Sequence, residues 1–298
     1  MIDRPCPVCG TGAFAKVFAE STVDVGKLNE FAFASRKVPE YMHHRLMLCG
    51  QCDLLYADPV PAPEELSAAY RDAAFDSGEE AGFAARTYGR LLPAIERRLP
   101  DRVGALDIGT GDGAFLRELL SRGFTEVRGV EPSSAPIAAA DPAVRSLIRH
   151  GIFKAEDDTA ESLSLITCFQ TIEHLSEPLA VCRDVLTLLK PGGAMLIACH
   201  NRRAMTNRLL GQRSPIFDVE HLQLFSPASA IRLLETAGFG NVSTATYVNQ
   251  YPAHYWARLF PMPASMKPGL IKGMKAIGVG HIPLPMPAGN MAVVGMKK

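Results

Sequence analysis

The chain of 298 residues carries 31 Lys and Arg against 31 Asp and Glu, and 47% of it is hydrophobic. That length suits one large domain plus an appendage, and the zero net charge argues against a general nucleic-acid binder, which carries a basic excess. No run approaches the ~18 apolar residues of a membrane span, and Met1–Pro5 lacks a signal-type apolar stretch, so a cytoplasmic protein with no transmembrane segment is expected.

Four of the seven cysteines form two pairs, Cys6-Pro7-Val8-Cys9 and Cys49-Gly50-Gln51-Cys52. Without a secretory signal they read as metal ligands rather than disulfides. Four thiolates on two knuckles close a tetrahedral zinc shell with no position left for water or substrate, so a structural Zn2+ is expected. Gly10 and Gly50 sit where a tight knuckle asks for a residue without a Cβ. Two redox pairs are the poorer reading, because neither pair opens a βαβ unit. Residues 1–63 are therefore a zinc-binding module, within which Tyr41–Leu48 reads as a strand placing His43 and His44 on opposite faces. Those histidines read as polar surface or pocket residues rather than ligands. Cys168, Cys182 and Cys199 lie in apolar runs and read as core.

Residues 64–99, with Tyr70 and Tyr88, form a helical bridge by their pattern, and residues 100–298 form the main domain. Val103–Ile108 is a short buried strand, Gly109, Gly111 and Gly113 a tight loop, and Ala114–Ser121 the start of an amphipathic helix. A second strand, Val127–Val130, delivers Glu131 at its carboxyl end, followed by Pro132. This is half of a Rossmann unit with an acid placed for ribose hydroxyls. The glycine spacing is GxGxG, and Asp107 sits two residues before the first glycine. A carboxylate there repels a pyrophosphate but attracts an ammonium group. S-adenosyl-L-methionine has an ammonium and a sulfonium, no phosphate, and a ribose diol for Glu131, so it is favoured over a dinucleotide.

Further along, Pro178–Leu189 is a helix entered by a proline in its first turn and stopped before Pro191-Gly192-Gly193, and Ala194–Cys199 is a buried strand. Ser226 caps a helix over Pro227–Ala237 that Gly238 ends. Asn241–Val248 and Met291–Met296 are the last two strands, an antiparallel hairpin at the sheet edge. Between them, residues 249–289 hold seven prolines, Tyr251, Tyr255, Trp256, Phe260 and four Lys or Arg, with no acid. All six Lys and Arg after Glu235 face no acidic residue in sequence, so residues 1–235 are net −6 and the remainder +6. A ~40-residue excursion in a hairpin position is usually functional. It reads as a substrate lid for an anionic or aromatic acceptor, as a surface or dimer excursion, or as a peripheral membrane contact.

Four motifs in order carry a resemblance: Leu106-Asp107-Ile108-Gly109-Thr110-Gly111-Asp112-Gly113, Gly129-Val130-Glu131-Pro132-Ser133, Leu163 to Leu175, and Leu188 to Ala198. Over residues 103–248 the chain resembles the class I S-adenosylmethionine-dependent methyltransferases. With the four cysteines and His221-Leu222-Gln223-Leu224-Phe225-Ser226-Pro227 it looks like a zinc-ribbon subgroup, with relatives in sugar C-methylation, glycan and natural-product pathways. The resemblance implies an α/β fold, a Rossmann-like seven-stranded methyltransferase sheet. It also implies donor contacts from Asp107, Gly109, Thr110, Gly111, Gly113, Glu131 and Pro132. Ile152 or Phe153 would cover the adenine, and Gln170 and Thr171 would line the methyl channel. Tyr88 is then a candidate near the methyl group, its other reading being an aromatic core anchor.

Methyl transfer is an in-line displacement governed by approach geometry, and a hydroxyl or acidic carbon acceptor also benefits from a general base. His200, directly after the fifth strand, is the first choice, with His174 and His221 the other candidates. The expected activity is S-adenosylmethionine-dependent methyl transfer to a hydroxyl or carbon of a small molecule. An RNA methyltransferase and a non-catalytic donor-binding subunit are the competing readings. Residues 1–63 are near charge balance, which disfavours the former. The acceptor and the oligomeric state are not specified by the sequence.

Overall fold

The structure, a computed structural model, describes residues 1–28, 31–34, 40–75, 78–260, 262 and 264–298. Parts of three expected segments lie outside the described residues: 29–30 and 35–39 of the zinc module, Asp76 and Ser77 of the bridge, and Pro261 and Pro263 of the insertion.

The amino-terminal part has three short strands, β1 (Ala15–Ala19), β2 (Leu46–Cys49) and β3 (Leu55–Ala57). The expected strand over Tyr41–Leu48 is only its second half. Tyr41 takes a left-handed φ of 57°, and His43 bonds to Thr22 instead of a ladder partner, its carbonyl accepting from Thr22 N at 2.9 Å. His43 and His44 lie outside the strand, and both are buried, at 2% and 8% exposure. The bridge is three helices rather than one, α1 (Pro63–Arg71), α2 (Gly78–Gly89) and α3 (Pro93–Glu96).

The main domain follows as β4 (Val103–Ile108), α4 (Ala114–Ser121), β5 (Thr125–Glu131), α5 (Ser134–Ala139), α6 (Pro142–Arg145), β6 (Ile148–His150), β7 (Leu163–Phe169), α7 (Pro178–Leu188) and β8 (Leu189–His200). It continues through α8 (Met205–Leu210), β9 (Gln223–Leu224), α9 (Pro227–Ala237) and β10 (Gly240–Thr246), then the insertion, then β13 (Asn290–Met296). The seven-stranded sheet has the order β10-β13-β8-β7-β4-β5-β6. Only β13 runs against the others, between β8 and β10. The chain winds outward in both directions from β4, so ligands belong at the carboxyl ends of β4 and its neighbours, where the strand order reverses. The centre is dry because β7 is a run of buried residues from Leu163 to Phe169, as strands covered on both faces require. β8 starts earlier than expected, taking in the Pro-Gly-Gly turn. At α9, Ser226 Oγ accepts from Ser229 N at 3.3 Å, and Gly238 closes the helix at φ 110°.

The insertion folds rather than loops. β11 (Asn249–Pro252) pairs antiparallel with β12 (Pro283–Met286), and α10 (Ala253–Leu259) and α11 (Lys267–Ala276) lie between them. Among the described residues no helix is long and apolar enough to cross a membrane.

The small sheet is completed by the main domain: its order is β1-β2-β3-β9, with Leu55 and Tyr56 of β3 opposite Leu224 and Gln223. Arg4 stitches this seam. Its guanidinium donates to Ala57 O (3.0 Å), Ser176 O (2.8 Å), Leu222 O (2.8 Å) and Gln223 Oε1 (3.1 Å). Burial pulls its pKa down to about 10, against the pull of Glu177, so it stays cationic at neutral pH. Replacing it with an apolar chain strands several carbonyls. Arg4→Met is expected to lower the urea midpoint by an amount equivalent to about 2–3 kcal/mol at unchanged m-value; a loss under about 0.5 kcal/mol, the scale of ordinary surface substitutions, would show that the seam does not depend on it.

Candidate active site

A cavity of about 1030 Å³ opens at the carboxyl end of the sheet. Every donor and catalytic residue expected from the sequence lines it except Gly113. That glycine sits behind the loop at φ 72°, where a Cβ would meet Ile148 Cδ1 at 3.0 Å and Val144 Cγ2 at 3.1 Å. Without a side chain there, α4 seats closely against its neighbours.

The first turn has the shape of a cradle. Gly109 (φ 74°) leaves no room for a side chain, since a Cβ would fall 2.3 Å from Thr171 Oγ1. At Gly111 (φ 61°) a Cβ would meet nothing within 4 Å, so the backbone there borders open space. The side chain of Thr110, itself buried, packs where a Cβ on Gly129 would come within 2.6 Å of it. Glu131 is held by two backbone donors, Gly111 N on Oε2 at 2.8 Å and Ser133 N on Oε1 at 2.9 Å. Each carboxylate oxygen has a second lone pair to offer a hydroxyl. Asp107 is 3% exposed and accepts the Thr167 hydroxyl at 2.6 Å on Oδ1. Burial, the largest influence, pushes its pKa up to about 7 against the Thr167 hydrogen bond. Ile152 is half exposed at the rim and Phe153 half buried beside it.

The wall opposite the loop is aromatic. Tyr88 of α2 lies 4.3 Å from the Phe169 ring, and Phe115 lies 4.7 Å from it. Tyr88 is thus both a packed anchor and part of the lining. Gln170 adopts φ 50° on the cavity lining, and its buried side chain neighbours the Tyr247 hydroxyl behind it, a hydrogen bond between the two opposing the rise that burial gives the Tyr247 pKa. The open backbone at Gly111 beside the Glu131 carboxylate fits a polar nucleoside-type ligand at the carboxyl end of β4.

The three histidines come together at the other end. The His221 ring lies 5.0 Å from that of His174 and 5.1 Å from that of His200. Each is anchored through Nδ1: His174 by the Tyr70 hydroxyl at 2.8 Å, His200 by Asn290 Oδ1 at 2.8 Å, His221 by the Ile216 carbonyl at 2.9 Å. Donation from His200 Nδ1–H to Asn290 leaves Nε2 as the lone-pair atom. Burial, then the nearby His221, lowers the His200 pKa to about 3, so this imidazole is neutral throughout the physiological range. Glu173 supports the same strand end, accepting His200 N at 2.7 Å, and burial raises its pKa to about 7.

Sequence reasoning missed Tyr70 and Asn290 as partners and Glu173, Asp218, Glu220 and Tyr247 as neighbours. Tyr70 and His174 are 104 residues apart and His200 and Asn290 are 90 apart, so no local pattern connects them.

The four cysteine sulfurs lie within 4.8 Å of one another, with Cys6–Cys52 and Cys9–Cys49 contacts of 3.5 Å. Zn–S bonds of about 2.3 Å set sulfur–sulfur separations near 3.8 Å in a tetrahedron, so the donor set fits zinc. Without an ion the thiols share protons, hydrogen bonding from Cys52 holding the Cys6 thiol down while burial and Cys49 push Cys9 up. The knuckles are alike in backbone, with Gly10 N on Cys6 O at 2.8 Å and Asp53 N on Cys49 O at 3.0 Å. The residue equivalent to Gly10 is therefore Asp53 (φ 63°), not Gly50. Gly50 is required for close approach instead, since a Cβ would lie 3.0 Å from Phe14 O. Asp53 also pairs with Arg202 and Arg203, just beyond β8.

A parallel sheet with a glycine cradle at its switch point, one acid beneath the loop and another at the next strand end, defines a Rossmann-like nucleoside-binding domain. The chain belongs to the methyltransferase-domain family, whose model matches residues 79–244, more than half of the sequence. Similar proteins include the ubiquinone biosynthesis O-methyltransferase of Aeromonas salmonicida, 28% identical over 148 residues covering 45% of this chain and 61% of that protein. Its counterpart in Xanthomonas campestris pv. campestris is 32% identical over 103 residues, covering 33% and 43%. The matches thus span less than two thirds of those relatives. Similar solved structures include phosphoethanolamine N-methyltransferase 2 of Haemonchus contortus with S-adenosyl-L-methionine, at 16% identity, TM-score 0.48, and coverage of 82% of this chain and 61% of that one. An S-adenosylmethionine-dependent methyltransferase from Archaeoglobus fulgidus is 15% identical, with TM-score 0.49 and coverage of 79% and 100%.

The raised pKa of Asp107 has a stability consequence. An acid with a folded pKa of about 7 against 3.8 unfolded contributes stability below pH ~4 that is lost as pH rises to ~7. Asp107→Asn is expected to stabilise the ligand-free protein at pH 8 by on the order of 3–4 kcal/mol, with the gain shrinking toward pH 4 in urea titrations. A pH-independent difference would show that the carboxyl is not held protonated by burial.

Proposed function

We propose that this chain transfers the methyl group of S-adenosylmethionine to an acidic hydroxyl, or to an acidic carbon, of a small amphiphilic acceptor. The observation that carries this reading is the Nδ1-anchored, neutral imidazole of His200 in the same cavity as Asp107, Gly111 and Glu131. When bound, the donor supplies an electrophilic methyl on a cationic sulfur. Asp107 would face its positive charge, Glu131 the ribose hydroxyls, and Ile152 and Phe153 the adenine, with Gln170 and Thr171 along the methyl path.

The acceptor then sits between the Tyr88 wall and the histidines. His200 Nε2 would take the acceptor's O–H (or C–H) proton, and the bound donor would supply the methyl to the acceptor's oxygen or carbon and depart as a neutral thioether. An imidazole with a pKa of about 3 is a weak proton sink. That narrows the acceptor to groups that ionise readily, such as a phenol or an enol. Asp218 opposes the fall in the His200 pKa and so favours the imidazolium as it forms. His174 and His221 flank this path, with Tyr70 orienting the former. Leu209, Phe260, Leu270 and Met286 are exposed and rim the same cavity, so the mouth suits an acceptor with an apolar portion. This supports reading the insertion as a lid.

The amino-terminal cysteines are proposed to hold a structural zinc, since all four positions are filled by thiolates. Its task is to fix the knuckles from which Asp53 and Arg4 reach the main domain.

The test is kinetic. With a phenolic acceptor that supports turnover, His200→Gln is expected to lower kcat by ~10²–10⁴-fold with unchanged donor affinity by calorimetry. Asn290→Ala, which frees the tautomer, should lose kcat in the same direction but less. Undiminished turnover in His200→Gln would remove it as the base.

A further inference from the structure

A second group of metal-ligating side chains lies outside the cavity, where the insertion meets the bridge. Glu79, His254 and His281 present ligand atoms within 4.8 Å of one another. Glu79 belongs to the first turn of α2, His254 to α10, and His281 to the 3-10 turn Val279–His281 before β12. Three separate elements thus converge on one point.

The geometry points to a divalent transition-metal site, and we propose that Glu79, His254 and His281 bind an ion of the Zn2+ class. Each of the two imidazole nitrogens faces an oxygen of the same Glu79 carboxylate at a spacing close to that such an ion needs. His254 Nε2 lies 3.8 Å from Glu79 Oε2 and 3.5 Å from Glu80 Oε1, and His281 Nδ1 lies 3.4 Å from Glu79 Oε1. Bonds of about 2.0–2.1 Å to nitrogen and oxygen set tetrahedral donor separations of about 3.4 Å. Two imidazoles with carboxylates select zinc-like ions over Mg2+ or Ca2+, which prefer oxygen alone.

The independent observation is His254. It is 1% exposed, and its Nδ1 is engaged by the Gly280 carbonyl at 2.8 Å. That bond fixes Nδ1–H as donor and presents Nε2 as the lone-pair atom toward the two glutamates. Nε2 is buried with no hydrogen-bond partner, and a lone pair aimed at carboxylates is unfavourable unless a proton or a cation lies between them. A backbone carbonyl on the far nitrogen is the usual support behind a metal-bound imidazole.

The ion would clip the insertion to α2. At the other end of that helix the same two parts already meet through Arg90 Nη2 on Gln250 Oε1 at 3.1 Å and Gln250 N on Thr87 Oγ1 at 3.4 Å. With the ion in place the insertion is tied to α2 at both ends of that helix, and with it Tyr255, next to His254, which lies 4.5 Å from Tyr251 on the cavity wall. The inference does not rest on the methyl-transfer reading.

The experiment counts zinc on the full chain, stripped with chelator under reducing conditions and reloaded against a chromophoric zinc chelator. His281→Gln and Glu79→Gln alter exposed side chains and should fold. Wild type is expected to bind one equivalent more than either variant. Zinc should also slow tryptic cleavage after Lys272 and Lys275 in wild type alone. Equal zinc content in wild type and both variants overturns the proposal, as does protection of the variants equal to that of wild type.

Discussion

The structure depends on a carboxylate placed where solvent cannot reach it. Asp107 ends the central strand beneath the glycine loop, one hydroxyl away from Thr167 and shielded from water. A buried acid without a countercharge is driven toward its neutral form, and here the pKa stands at about 7. A cationic ligand in the cavity reverses that preference. In the proposed reading, the same placement that destabilises the ligand-free protein above neutral pH would favour a positively charged nucleoside over one bearing phosphates. Burial raises the Glu131 pKa as well, but there two backbone N–H groups oppose the rise and orient the carboxylate.

Around that point the molecule is built by reaching across sequence. The four-cysteine part is not an independent ornament: its sheet needs β9, and Arg4 and Asp53 bind segments more than 140 residues distant. The segment carrying His221 continues into β9, while Leu222 N and Gln223 N both bond to Glu173 O. A single docked segment thus brings His221 beside His174 and His200. The insertion supplies the remaining wall through Tyr251, Tyr255 and Trp256.

Local signals carried most of the fold. Val103–Ile108, Ala114–Ser121 and the capped helix Pro227–Ala237 were legible to the residue, because caps, left-handed glycines and apolar runs act over a few positions. The glycine-loop end of the cavity was legible for the same reason, since Asp107 to Glu131 is one contiguous βαβ segment. The histidine end was only half legible. The histidines stand out by type, but their anchors Tyr70 and Asn290 are set by topology. The expected strand at Tyr41 failed because a tertiary partner, Thr22, won over alternation. Gly50 was assigned the wrong reason because sequence does not reveal which knuckle position turns left-handed. The insertion's composition announced an unusual segment, yet its ladder between Asn249–Pro252 and Pro283–Met286 pairs proline-rich strands that no periodicity marks.

The central claim is that a cationic donor ionises a carboxyl that burial keeps neutral. Calorimetry of S-adenosylmethionine binding at pH 6, in two buffers of different ionisation enthalpy, measures the protons released on binding. The account predicts release of close to one proton by wild type, markedly less by Asp107→Asn, and no binding of NAD or ATP. Binding of NAD with S-adenosylmethionine ignored, or donor binding with no linked proton, would contradict it.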